Sequence, residues 1–251
     1  AYFMQFHTAD FGVTSGNFGV YVSRDGGLSW APSPDGMSAF SFVDAQTGLG
    51  ASASGIFRTT DGGTSFASVL AGEAVAVTAL SSSVAVAIVD GIIFRSSNGG
   101  STWTAGASAS GRNRMLKVSA DVVLAYGRGG TFPDFDDRIL RSDDGGQTWI
   151  DLGEVIPATA YAADLNFTVL SASIIVASDG SGNLYRSIDA GLSWSMSHAT
   201  PGPSQGFFSN GPADFVDAQT GYIGYGSGYL LRGDDGGASW TQISSGSGID
   251  I

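Results

Sequence analysis

The acidic residues able to do acid–base or metal chemistry are concentrated in one stretch. Asp134, Asp136 and Asp137 lie together just before Arg138, and Glu154 follows as one of only two glutamates, the other being Glu73. Glycoside hydrolysis needs two facing carboxyl groups, one of them held protonated. Glu154 with Asp136 is the one pairing the sequence offers. Three aspartates on a turn also present hard oxygens to a divalent cation. The run lacks the further ligands and terminal glutamate of an EF-hand loop, and a solvated acidic loop paired with Arg138 accounts for it. His7 and His198 stand too far apart in sequence for a zinc pair, and there is no cysteine to supply thiolate chemistry. Gly224, Gly226 and Gly228 precede no helix and so make no dinucleotide fingerprint. Neither a metal site nor a cofactor is expected, and no catalytic residue is assigned.

The same neighbourhood is better furnished for binding. The four longest connections, residues 105–114, 127–138, 152–162 and 197–213, carry Arg112, Arg114, Arg128, Phe132, Phe135, Arg138, Glu154, Tyr161, His198, Phe207 and Phe208. Arginine and aromatic side chains are the usual anchors of recognition surfaces, so these residues are read as a ligand-binding rim. The competing reading is that long surface loops carry solvated charge and a few self-packing aromatics. Two short motifs carry less. Arg232-Gly233-Asp234 spells an integrin-type tripeptide inside a repeat, and Asn166-Phe167-Thr168 is a glycosylation sequon at the start of an inner strand.

What must position these loops is a repeat. Ser23-Arg-Asp-Gly-Gly-Leu-Ser-Trp30 recurs as Thr59–Phe66, Ser96–Trp103, Ser142–Trp149, Ser187–Trp194 and Gly233–Trp240. Its third residues, Asp25, Asp61, Asn98, Asp144, Asp189 and Asp235, are spaced by 36, 37, 46, 45 and 46 residues. Counting from Asp235 to the end and on to Asp25 gives 41, one more repeat. Units of this length with four strand-like segments each read as blades of a β-propeller. In the third repeat, strands A to C are expected at residues 74–80, 84–89 and 92–96, with strand D following Trp103. The expected fold is therefore all-β, a single six-bladed propeller over residues 1–251, with the repeated turn between strands C and D. Within that turn, Asp accepts backbone N–H bonds and the glycines supply positive φ. The closing aromatics Trp30, Phe66, Trp103, Trp149, Trp194 and Trp240 wedge between neighbouring sheets. The six aspartate-type residues are thus structural. Arg58, Arg95, Arg141, Arg186 and Arg232 just precede the motif and are read as structural too, while Arg24 lies within it. The loop-rich rim belongs at the end of the blades away from these turns.

Composition narrows the partners. A formal charge of −12, with Lys117 the only lysine, leaves no basic cluster for nucleic acid or anionic lipid. No apolar run reaches the roughly 20 residues a membrane span needs, so membrane insertion is not expected. The first residue is Ala1 rather than Met, which points to a removed leader and an extracytoplasmic location.

The motif S/T-x-D-x-G-x-T/S-W/F resembles the Asp-box (BNR) repeat of sialidases, sortilin-type receptor propellers, some glycan-hydrolysing propellers and photosystem II assembly-factor-like propellers. Phe215-Val-Asp217 to Gly221, followed by Arg232 to Trp240, looks most like the assembly-factor type. The sialidase resemblance implies an arginine triad, a tyrosine nucleophile assisted by Glu, and an Asp acid/base, and no position here matches that triad. The resulting expectation is a non-catalytic binding or scaffold propeller that recognises a protein partner or a glycan through the loop-rich face. The alternatives are a glycoside hydrolase of sialidase-like fold and a structural subunit of a larger assembly.

Overall fold

A computed structural model describes residues 3–16, 19–33, 36–109, 111–127, 129–131, 134–136, 138–156, 165–179, 182–199, 213–225 and 230–244. These residues form six four-stranded antiparallel sheets, the blades of a β-propeller, with no α-helix among them. Blade 1 is β1 (Phe3–Phe6), β2 (Gly12–Gly16), β3 (Gly19–Ser23) and β4 (Ala31–Pro32). Blade 2 is β5 (Ala39–Phe42), β6 (Gly48–Ser52), β7 (Gly55–Thr59) and β8 (Ala67–Ala71). Blade 3 is β9 (Ala74–Ala79), β10 (Ala85–Val89), β11 (Ile92–Ser96) and β12 (Thr104–Ser108). Blade 4 starts with β13 (Arg114–Lys117) and β14 (Val123–Tyr126), inserts a separate hairpin of β15 (Gly129–Thr131) and β16 (Asp134–Asp136), and ends with β17 (Leu140–Ser142) and β18 (Ile150–Asp151). Blade 5 is β19 (Asn166–Val169), β20 (Ile175–Ser178), β21 (Leu184–Ser187) and β22 (Ser195–His198). Blade 6 is β23 (Asp214–Phe215), β24 (Gly221–Gly224), β25 (Leu230–Gly233) and β26 (Thr241–Ser244).

The chain divides into two compact units: Ala1–Tyr126 with Leu140–Ile150, and Gly127–Ile139 with Asp151–Ile251. The first holds blades 1 to 3 and most of blade 4. The second holds the inserted hairpin and blades 5 and 6.

Each sheet runs A-B-C-D, so strand B is hydrogen-bonded along both edges. In β10, all five residues of Ala-Val-Ala-Ile-Val are buried, the near-continuous small apolar run a doubly covered strand requires. The A-to-B turn has its own device, an aromatic ring lying over a glycine across the strand pair. Phe42 is registered with Gly48 and Phe215 with Gly221. A Cβ on either glycine would sit 2.6 Å from that ring, which accounts for the Phe and the Gly at the two ends of the repeated Phe-Val-Asp-Ala-Gln-Thr-Gly. Asp44 Oδ1 accepts the Gln46 and Thr47 amides at 2.8 and 2.7 Å, and Asp217 does the same for Gln219 and Thr220. Leu80 and Val84 close this turn in blade 3 through Leu80 N–H to Val84 O at 2.8 Å, so the strands there stop one residue short of the expected bounds.

The C-to-D turn is a repeated hydrogen-bond frame. In blade 2 the Thr59 hydroxyl donates to Asp61 Oδ1 at 2.7 Å and accepts the Gly63 amide at 2.9 Å. Ser65 donates its amide to Oδ1 at 2.9 Å and its hydroxyl to Oδ2 at 2.6 Å. Asn98 keeps the frame in blade 3 with one donor reversed, its Nδ2 donating to Thr102 Oγ1 at 2.8 Å. Four of the closing tryptophans donate Nε1 to the carbonyl of the second glycine-position residue, as Trp149 does to Gly146 at 3.3 Å. In the sixth turn Gly233 replaces the first hydroxyl, and buried Trp240 Nε1 has no partner among the described residues.

In blades 2, 4 and 6 the aromatic then packs on the preceding blade. Phe66 joins Phe11, Val13 and Val22 of blade 1, Trp149 joins Ile88 of blade 3, and Trp240 joins Val176 and Leu184 of blade 5. A second link runs the other way. Nε of Arg58, Arg95 and Arg186 donates to Gly99 O, Gly145 O and Gly236 O in the next blade at 2.8, 2.8 and 2.9 Å. Arg24 reaches Gly63 O at 2.5 Å, so it serves the same purpose from a different position. Arg141 and Arg232 differ because the repeat carries an extra aspartate two residues on. They pair with Asp143 and Asp234 of their own blades. Arg232 and Asp234 of the tripeptide therefore hold each other, at 2.7 Å.

Hydrogen bonds to the Ser65 hydroxyl and amide and to Thr59 hold the Asp61 carboxyl down to about 2, and the Asp25 carboxyl is held at the same level by Ser29 and Ser23. A depressed carboxylate stabilises the fold above its unfolded value, near 4, and that contribution is lost as pH falls toward 2. Because Asn98 shows that an amide fits the frame, Asp61→Asn is expected to lower Tm less than Asp61→Ala and to flatten the loss of Tm between about pH 4 and 2, measured by thermal melts across that range. Ala190 occupies a left-handed position, φ 58°, where the other five motifs have glycine. Ala190→Gly is expected to stabilise by about 0.5–1 kcal/mol, read by denaturant unfolding.

Candidate functional site

Strand A stands at one edge of each sheet, so a row of A strands presents edges as well as faces. In the first unit, β1, β5, β9 and β13 line a cavity of about 300 Å³. Its walls carry Ala39, Phe40, Val75, Ala76, Val77 and Met115, with Val13 from β2. Four consecutive residues of β9, Val75 to Thr78, take part because the strand offers its edge. Small residues at Ser38, Ala39, Ser41 and Ala76 leave the space open. Polar groups come from Gln5, Ser38, Ser41, Thr78, Asn113 and Tyr126, and Arg114 is the one formally charged lining residue among those described.

Asn113 and Arg114 open strand A of blade 4, and Tyr126 closes strand B. All three stand at the end of the blade opposite the C-to-D turn. Arg114 and Tyr126 are registered partners. Burial raises the Tyr126 phenol, and the charge and hydrogen bond of Arg114 work against that rise. Both groups therefore meet a ligand as a cation and a neutral hydroxyl at pH 7.

His7 lies on the opposite wall, in the A-to-B turn of blade 1. Its ring centroid is 6.3 Å from Phe11, 6.3 Å from Phe40 and 5.6 Å from Phe42. Burial lowers its pKa below 6.5 because an imidazolium is poorly solvated among phenyl rings.

The residues of the sequence-derived rim are distributed as follows. Arg114 lines the cavity. Arg112 is only 2 % exposed, so it is enclosed rather than displayed on a rim. Residues 105–108 are not loop, since they belong to β12, and Arg114 is the first residue of β13. His198 ends β22, paired across to Leu184, and is half-buried with its pKa lowered by burial. Phe135 is the middle residue of β16, in a hairpin where a plain loop was expected. Arg138 is exposed and bonds Asp151 at 3.1 Å, and Glu154 is exposed beyond β18. Arg128, Phe132, Tyr161, Phe207 and Phe208, with Asp137, lie outside the described residues, and so do the side chains of Asp134 and Asp136. The lining of the cavity includes no Asp or Glu, so the two facing carboxyls of a glycosidase are not found among its described residues.

Sequence reasoning missed His7 and Tyr126 as site residues, along with a buried carboxylate in the second unit. Asp179, 1 % exposed, accepts the Asn183 amide and Nδ2, both at 2.9 Å, and the Tyr185 hydroxyl at 3.0 Å. Burial first and Asp179 second push the Tyr185 phenol upward. Tyr225 joins from blade 6, donating to Gly182 O at 2.8 Å. The Asp-Gly-Ser-Gly-Asn run of that B-to-C turn was its one visible trace.

No protein-family model matches the chain, and no curated protein matches it. Solved structures do. YCF48 bound to a D1 peptide is similar over 98 % of this chain and 82 % of that one, at 20 % identity and TM-score 0.64. The GH74 xyloglucanase from Xanthomonas campestris is similar over 98 % of this chain and 47 % of its own, at 14 % identity and TM-score 0.66. BamB from Moraxella catarrhalis is similar over 97 % of this chain and 74 % of its own, at 16 % identity and TM-score 0.55. The likeness is one of fold.

His7 binds fewer protons folded than unfolded, so its contribution to stability is lost as pH falls through about 6.5 toward its lowered folded value. The pH dependence of unfolding free energy between about 7 and 5 is expected to be shallower in His7→Gln than in the parent chain, as read from urea titrations.

Proposed function

We propose that this chain is a non-catalytic binding propeller that seats a segment of a protein partner at the cavity of its first unit, with Arg114 at the end away from the C-to-D turns. The supporting observation is the cavity lining: among the described residues it has one guanidinium, a set of neutral hydrogen-bonding groups and apolar walls, and no carboxylate. A guanidinium offers five donors in a planar fork, and pockets that combine apolar walls with a few placed polar groups are the common form of ligand site. One fold neighbour is consistent with that reading, since YCF48 has been solved bound to a D1 peptide. The Asp-box character of the repeated turn accounts for the scaffold, leaving the opposite end free for recognition.

Binding of the parent chain and of Arg114→Ala to a peptide array and a glycan array tests it. Peptide ligands are expected to lose about tenfold in affinity, equivalent to about 1.4 kcal/mol, in Arg114→Ala. Equal binding by both proteins would remove the cavity from consideration. Turnover of xyloglucan or of a fluorogenic glycoside by the parent chain would replace a binding role with a hydrolytic one.

A further inference from the structure

Arg114 brings its guanidinium to one wall of the cavity, and the His7 imidazole, whose pKa burial lowers from its ordinary value, stands at the other. The groups facing His7 from each packed element are few. Its own turn contributes Asp10, which is exposed. β2 and β5 contribute Val13, Phe40 and Phe42 and no titratable side chain, and β9 contributes none. β13 and β14 contribute Arg114 and Tyr126. Among the described residues, no carboxylate lines the cavity to neutralise an imidazolium.

We propose that His7 is a proton-operated charge switch on this cavity, turning a site with one fixed cation into a site with two and so raising its preference for anionic over neutral ligands as the solution is acidified. The inference rests on reading the cavity as a ligand site and adds its regulation. At neutral pH the imidazole is uncharged and packs as an aromatic against Phe11, Phe40 and Phe42. Protonated, it is poorly held by that cluster, because a buried charge needs a partner or water. The water available to it is in the cavity. The positive charge then projects toward the same space as Arg114.

The absence of cysteine makes the test direct. Gln5→Cys places a single thiol on the cavity wall two residues from His7, about 7 Å away by strand geometry. Iodoacetate and iodoacetamide alkylate the same thiolate, one carrying a negative charge and the other none. The ratio of their rates cancels the thiolate fraction and reports the local potential. That ratio is expected to rise as pH falls below 8, reaching about threefold once the imidazole is fully protonated, while a control thiol at exposed Ala172→Cys gives a flat ratio. Adding His7→Gln abolishes the rise, and His7→Phe does so if the glutamine variant does not fold. Arg114→Gln lowers the ratio at every pH without changing its slope. A flat ratio at Gln5→Cys, in a protein whose His7 ring signals titrate by NMR, would overturn the proposal. So would a slope that survives loss of His7. The alkylation needs no natural ligand, so loss of the peptide-binding reading would leave this result readable by itself.

Discussion

The hydrogen-bond frame of the C-to-D turn is the constraint on which the rest depends. One carboxylate binds a hydroxyl before it and a hydroxyl and amide after it, which fixes both the reversal of the chain and the exit direction of the aromatic that follows. In blades 2, 4 and 6 that aromatic packs on the preceding blade, and in blades 2, 3 and 5 the arginine just before the turn reaches the glycine carbonyl of the next one. A local turn thereby acts as a joint between sheets. The frame tolerates change where the hydrogen-bond count is kept, as Asn98 shows, and it is incomplete in the sixth turn, where Gly233 has no hydroxyl to contribute.

The joint works differently where the sequence places a second acid. In blades 4 and 6, Asp143 and Asp234 stand two residues after Arg141 and Arg232 and take the guanidinium into their own sheet. Strand alternation puts residues two apart on one face, so the nearby carboxylate competes effectively with a more distant carbonyl. The same local capture closes Arg232-Gly233-Asp234 on itself.

The Arg114 side of the cavity comes from the other end of the blade, where the A strands start and the B strands end. Arg114 and Tyr126 meet there because the A–B register makes them partners. His7 arrives from an A-to-B turn, placed by its packing against three phenyl rings. Its neutral form and the Arg114 cation therefore reflect position within the sheets more than any local motif.

The repeat by itself determined the blade count, the strands and the structural aspartates, because a hairpin held by bonds between residues two to four apart is written in adjacent letters. It also marked Arg114 as a functional candidate, through its place between repeats. Only tertiary structure decided that Arg112 is enclosed, that 105–108 and His198 belong to strands, and that His7 and Tyr126 line a cavity with Arg114. Those facts depend on which edges of separate sheets come to face one space. Nothing in the spacing of a single blade encodes that distance.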